Sequence, residues 1–435
     1  MAALLDVAIV GGGPGGLAAA KSILTARPDL RVAVFERSTN IKAPRGASLG
    51  LLPNGFRALQ AIDPSLREKA LALDAKRTYN RVCKPSGEIV SEQRDEAVSS
   101  EAKRFGDVAQ LAWHDLRLML AESLPEGVLQ TGMAFERYDE AAGENGGEGT
   151  TEGHLQVHFR QLRPKADEQE SVTVNAKLLV GADGNMSGVR QQVLGDGPPQ
   201  FLGTVIWRAY FPALPPFWPH TGRASLHWMG GPRAFSVWVL PQDRLSLLAV
   251  SPWPKEQVEA LADKNYIQEP KGRTEQAQQV KQRCQAVFGA SNGWAPEVVQ
   301  LLEAVDPAYL TEHGQYYRDP EHCAEWGRGR VSLLGDAAHL GTPFLAQGTS
   351  QALEDALELG RAIAELGPCP DALRKYEQVR KPLCTPVQAA SVGLFKNFVA
   401  GTASPGDEVK ANVEGGFLAR TFDPLPRAAQ AASMG

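Results

Sequence analysis

Apolar positions along this chain fall into two kinds of run. Leu5–Val10 is a short, nearly continuous apolar stretch that leads straight into Gly11-Gly12-Gly13-Pro14-Gly15-Gly16 and then into the helix-like residues 17–24. A second stretch, Arg31–Phe35, stops at Glu36. Apolar runs of this length around a glycine turn and a helical segment predict a β-α-β unit whose strands are covered on both faces. Lys177–Val180 and Val331–Leu334 also end at glycine-containing turns before helical patterns, and are predicted to join the same parallel sheet.

The middle of the chain reads differently. Phe235–Leu240 and Leu245–Val250 flank Pro241-Gln242-Asp243-Arg244, the pattern of an antiparallel hairpin. Trp207, Trp228, Trp238 and Trp253 gather in this region. The order predicts an α/β fold, a Rossmann-like nucleotide-binding domain with an inserted, mostly antiparallel β-sheet domain. From Thr349 to Leu366, Ala352, Ala356, Leu359 and Ile363 form one helical stripe with Glu354, Glu358 and Glu365 mostly elsewhere, and Pro368 and Pro370 are expected to end the helix. Asp139–Gly153 is acidic and glycine-rich, which predicts a surface loop. The tail from Ala400 is expected to be irregular, frayed over Ala428–Gly435.

Composition narrows the class. At 435 residues and 43% hydrophobic content, the chain is long enough for two lobes and a large enclosed ligand. Its formal net charge of -5 offers nothing to recruit nucleic acid. Cys83, Cys284, Cys323, Cys369 and Cys384 are scattered, without the spacing of a zinc site, so free thiols and no metal are expected. The N-terminus lacks the pattern of a secretory signal, and no apolar run approaches the roughly 20 residues that span a bilayer. A soluble, cytoplasmic protein is the expectation.

The first chemical feature is the turn after the first strand. Gly11, Gly13 and Gly16 satisfy G-x-G-x-x-G between a strand and a helix. Gly11 would permit the tight turn, Gly13 the approach of a pyrophosphate to the backbone, and Gly16 close helix-to-strand packing. Pro14 and Gly15 lie at the helix opening, where unpaired N–H groups favour an anion. Glu36, at the end of the second strand and followed by Arg37, stands where a carboxylate accepts hydrogen bonds from a ribose diol. The turn alone leaves NAD and FAD both open.

Further along, Val180-Gly181-Ala182-Asp183-Gly184 precedes Ser187-Gly188-Val189-Arg190, and Gly335-Asp336-Ala337-Ala338-His339 precedes the long helix. With the first turn, these segments resemble the three signature regions of the FAD-dependent aromatic-ring monooxygenases, the p-hydroxybenzoate hydroxylase-like and salicylate hydroxylase-like enzymes. The resemblance covers most of the chain and takes in Arg45–Gly50, Pro53-Asn54-Gly55, Trp207-Arg208 and Pro343–Gly348. It implies a discontinuous FAD-binding domain over 1–75, 105–200 and 325–400, a substrate domain over 76–104 and 201–324, and a C-terminal extension over 401–435.

It also implies residue roles. Asp336, after Gly335, would bond a ribityl hydroxyl. Asp183 and Gly184 would hold the pyrophosphate end, and Arg45 would lie near the flavin. Pro343 would shape the adjoining turn. The helix opening at Gly348 and Thr349 would direct its positive end toward the flavin. Trp207, Phe235, Trp238 and Pro343 are candidates for an apolar substrate pocket. No catalytic base can be named, and His339 reads as structural. Relatives carry an arginine where Trp113 stands here, which makes Arg117 a candidate substitute.

The activity implied is NADPH- or NADH-consuming insertion of one oxygen atom from O2 through a flavin hydroperoxide. Hydroxylation of an apolar or aromatic small molecule leads, with epoxidation a competitor. Flavin-dependent reduction, isomerisation or cyclisation, and a non-catalytic escort role, are the alternatives. Homodimer formation stays open.

Overall fold

A computed structural model describes residues 4–42, 48–76, 78–94, 103–141, 153–162, 170–218, 224–260, 274–404 and 406–426. The apolar runs become a parallel sheet in the order Val331–Leu333, Ser171–Gly181, Leu5–Val10, Val32–Glu36, Leu129–Thr131. Val7, Ala8, Ile9, Leu178, Leu179 and Val180 are fully buried, as strands covered on both faces require. The first half of Ser171–Gly181 turns the other way for pairing, meeting His154–Gln161 antiparallel, which in turn pairs with Met133–Ala141.

Small residues set the packing that matters most for the site. The helix Pro14–Ala26 lies against the helix Gly348–Leu366 at Ser22 and Gly360, where a Cβ on Gly360 would stand 2.1 Å from Ser22 Oγ. That close approach lets both helices open at the same edge of the sheet. Gly16 would likewise put a Cβ 2.1 Å from the Gly11 carbonyl oxygen, so only glycine permits the first turn to fold back on its helix.

The second sheet has seven strands, in the order Leu310–Tyr317, Gln200–Phe211, Arg244–Pro252, Arg233–Leu240, Ala224–Gly230, Tyr79–Cys83, Ile89–Arg94. All its pairings are antiparallel except that of Tyr79–Cys83 with Ala224–Gly230. The hairpin read from Phe235–Leu240 and Leu245–Val250 is there, turning through Gln242 and Asp243 with positive φ. One face packs on the helices Thr274–Phe288 and Pro296–Ala304 through Trp207, Phe235, Phe288 and Trp294; the other faces the parallel sheet's cavity edge.

Three expectations change. The helix Gly348–Leu366 ends at Gly367 with φ 79, and Pro370 opens the next helix, Pro370–Val399, because a missing N–H costs nothing in a first turn. Asp139–Ala141 belongs to the strand Met133–Ala141, and residues 142–152 of the predicted loop lie outside the described ones. Beyond Ala400 the chain forms a helix, Asp407–Glu414, and returns to the core through Phe417, Leu418 and Leu425, while residues 427–435 lie outside the described ones. The five cysteines are free, and no described helix is long and apolar enough to cross a membrane.

Candidate cofactor and substrate site

The three glycine-bearing turns come from separate strands of the parallel sheet, and all open at the same strand ends. Gly11, Gly13, Pro14, Gly15, Glu36, Arg37, Asp183, Gly184, Gly335, Asp336, Pro343, Gly348 and Thr349 line one cavity of about 2990 Å³. Ordinary small-molecule pockets span roughly 300–1,000 Å³, so this one has room for a dinucleotide and a second molecule. Gly16 lies behind its wall as the packing glycine, and Arg45 falls outside the described residues.

Each turn is built for close approach. Gly11 takes φ 110, which a side chain would oppose. A Cβ on Gly13 would meet nothing within 4 Å, so that backbone is open to the cavity at the N-terminus of Pro14–Ala26. Glu36 closes the turn from beneath: its Oε2 accepts from Gly12 N at 2.8 Å, and its Oε1 from Ser38 N at 2.7 Å. Arg117 Nη2 stands 3.1 Å from the same Oε2, its Nε donates to the Gly12 carbonyl at 2.6 Å, and its guanidinium lies 5.5 Å from the Trp113 ring centre. Both Trp113 and Arg117 line the cavity, but Arg117 is engaged by the turn.

Asp183 directs its carboxylate into its own loop, accepting from Ser187 Oγ at 2.6 Å and Val189 N at 3.2 Å, so its side chain braces the turn that Gly184 completes. Burial pushes its carboxyl above the usual range against those two donors. Asp336 differs. Its side chain is exposed to the cavity, and the protein packed around it pushes its carboxyl up, with His339 and Arg208 pulling the other way. Its Oδ1 stands 4.0 Å from where a Cβ on Gly348 would be, beside the opening of Gly348–Leu366.

Beneath this turn lies a charge cluster whose members come from three separate helices. Asp355, fully buried, accepts from Gly335 N at 3.0 Å, His339 Nε2 at 2.6 Å and Arg380 Nε at 2.7 Å. Burial favours its neutral form, but His339 and Arg380 hold it well below the usual carboxylate range. Burial equally opposes charge on His339, yet Cys384 and Asp355 raise it well above the ordinary imidazole value. His339 is therefore a structural ion-pair partner. Glu354, placed on the polar side by the helical stripe, is fully buried, bonding Asn54 Nδ2 at 2.6 Å and Arg380 Nη1 at 2.5 Å. A charged residue inside the apolar stripe of Pro370–Val399 was the signal available for Arg380.

The sheet supplies the opposite wall, and here register corrects the reading. Trp207 and Phe235 are fully buried on the helix-covered face, Trp207 donating to Glu312 Oε1 at 2.8 Å; neither lines the cavity. Side chains alternate along a strand, so their neighbours Arg208, Ala234 and Ser236 face inward instead, with Trp238 and Pro343 as expected. One cross-strand row runs Thr311, Arg208, Leu248, Ser236, His227, Val82, every member lining the cavity. His227 Nδ1 and Ser236 Oγ are 2.9 Å apart, and Trp238 meets the His227 ring edge-on at 5.5 Å. The wall is mixed in polarity, not the apolar one expected.

Residues 4–391 match the family described as FAD binding domain. The chain belongs to the FAD-dependent aromatic-ring monooxygenases. It is 31% identical over 394 residues to a 3-hydroxybenzoate 6-hydroxylase of Polaromonas naphthalenivorans, covering 86% of this chain and 84% of that protein. A 3-amino-4-hydroxybenzoate 2-monooxygenase of Streptomyces platensis is 29% identical over 385 residues, covering 86% and 84%. The fold matches that of Klebsiella pneumoniae HpxO complexed with FAD and uric acid, with a TM-score of 0.67 at 22% identity, over 95% and 93% of the two chains. This monooxygenase fits a dinucleotide on its own geometry: an open Gly13 backbone, an inward-facing Asp336 and two helix N-termini meet in one cavity.

Proposed function

We propose that the enzyme hydroxylates a small aromatic molecule, consuming NADPH or NADH and O2, with substrate held between the sheet and the Pro343–Gly348 turn. The observation that carries this reading is the convergence of the three turns and the opening of Gly348–Leu366 on one cavity whose far wall is the seven-stranded sheet. The segments of the parallel sheet, within 1–75, 105–200 and 325–400, act as the FAD-binding domain; those within 76–104 and 201–324 form the substrate domain.

In this assignment Gly11, Gly13, Pro14, Gly15 and Gly184 would receive the pyrophosphate, Glu36 the adenosine ribose, and Asp336 a ribityl hydroxyl. FAD held there would supply the redox chemistry that links nicotinamide oxidation to the use of O2. The N–H groups opening Gly348–Leu366 face the cavity and would stabilise negative charge on a cofactor held there. A substrate ring rests on Leu248, between the cation of Arg208 and the His227–Ser236 pair. Overall, substrate C–H, NAD(P)H, a proton and O2 give substrate C–OH, NAD(P)+ and water.

The two relatives named above are oxygen-inserting enzymes, which disfavours a reductase, isomerase, cyclase or escort role. The test is to purify the chain, record a flavin spectrum, and screen hydroxylated aromatic acids for faster NAD(P)H oxidation with 18O2. One labelled oxygen in the product is expected. A colourless chain, or turnover that leaves product unlabelled, would refute the proposal.

A further inference from the structure

The C-terminal segment reaches the cavity at its most constrained point. Ala346 has φ 55 and ψ 21, a left-handed conformation that L side chains avoid. It stands between Pro343–Leu345 and the helix opening at Gly348, and it lines the cavity. Asn412, 2% exposed, holds the residues on both sides of it: Nδ2 donates to the Leu345 carbonyl at 3.0 Å, and Oδ1 accepts from Gln347 Nε2 at 2.7 Å.

The segment that carries Asn412 is itself anchored. Phe417 packs with Leu345 and Val387, and Leu418 with Leu52 and Ala346. Arg420 Nη1 meets Glu354 Oε2 at 2.8 Å, and Arg57 donates to the Leu418 and Arg420 carbonyls. Asn412, Phe417, Leu418 and Arg420 all lie beyond residue 391, where the family match stops.

We propose that Asn412 is a positioning residue for the flavin site: by gripping Leu345 and Gln347 it holds Ala346 in its left-handed turn and keeps the opening of Gly348–Leu366 aimed into the cavity. The inference rests on the flavin reading above. Without that grip the turn relaxes toward a conformation an alanine prefers, the helix N–H groups lose their alignment, and the anionic reduced cofactor loses stabilisation.

The test compares holoenzyme of the wild type, Asn412→Ala and Ala346→Gly/Asn412→Ala. Readouts are FAD dissociation and the two-electron midpoint potential, with far-ultraviolet circular dichroism to check folding. Asn412→Ala is expected to weaken FAD binding about tenfold and to lower the potential by about 30 mV, a tenfold shift in the reduction equilibrium. The double variant should recover most of both, since glycine accepts the left-handed turn unaided. Wild-type FAD affinity and potential in Asn412→Ala, or a double variant no better than the single, would overturn the inference. If Asn412→Ala does not fold, Asn412→Asp, which keeps the acceptor and loses the donor, decides: an intermediate potential supports the grip and a wild-type potential refutes it. A wild-type chain without flavin absorbance removes the cofactor reading and this inference with it.

Discussion

Arg117 Nη2 and Glu36 Oε2 face each other at 3.1 Å, and both also bond the backbone of Gly12, Glu36 accepting from its N–H and Arg117 donating to its carbonyl. The first turn is thus clamped by an ion pair between the second strand and the helix Trp113–Glu122. Both partners are buried, so Arg117→Ala strands a carboxylate and should cost about 3 kcal/mol of stability. Urea denaturation of the apoprotein measures this; Arg117→Ala within about 0.5 kcal/mol of wild type would contradict the clamp.

Two glycines of the same turn should fail in different ways. Gly13→Ala adds a Cβ that touches no protein atom at a φ of -78, so the apoprotein should fold normally and bind FAD poorly. Gly16→Ala drives its Cβ into the Gly11 carbonyl and should cost about 3 kcal/mol, the upper end of overpacking. Melting curves with and without added FAD separate the two, and equal loss of apoprotein stability would count against this division.

The two tryptophans of the second sheet should also separate. Trp207→Phe removes the bond to Glu312 in the packed face and should cost about 2 kcal/mol. Trp238→Phe, at the cavity wall, should change stability by less than about 1 kcal/mol while altering which aromatic acids stimulate NAD(P)H oxidation. A stimulation profile identical to wild type in Trp238→Phe would remove it from the substrate wall.

His339 and Asp355 make stability depend on pH in a set direction. His339 is raised in the folded protein, so its contribution is complete below about pH 6.5, its unfolded value, and fades as pH rises through the folded value. Asp355 is depressed, so its share is present above about pH 3.9 and is lost on acidification. The difference in Tm between wild type and His339→Gln should be largest near pH 5–6 and shrink toward pH 9. A difference that grows with pH would mean His339 is held neutral.

Much of the architecture was legible from local pattern. Each parallel strand is a short apolar run beside a glycine turn, and burial on both faces leaves few other ways to fold such a run. Gly11, Gly13 and Gly16 could be given separate jobs because each depends on the space around one backbone atom: Gly11 takes φ 110, Gly13 is open, and Gly16 leaves no room for a Cβ. The hairpin through Pro241–Arg244 was equally local.

What the residues alone determined is where strands, turns and helices form, and which turns can approach a phosphate, since these follow from near-neighbour sterics and hydrophobic period. Only the tertiary structure decided which face of the second sheet meets the cavity, because a shift of one residue exchanges Trp207 for Arg208 and Phe235 for Ser236 without changing the apolar count. It likewise decided that Glu354, Asp355 and Arg380 share a buried cluster, and that Asn412 closes on Leu345 and Gln347 from the far end of the chain. Such contacts join residues 25 to 67 positions apart, and they exist only once the layers have packed.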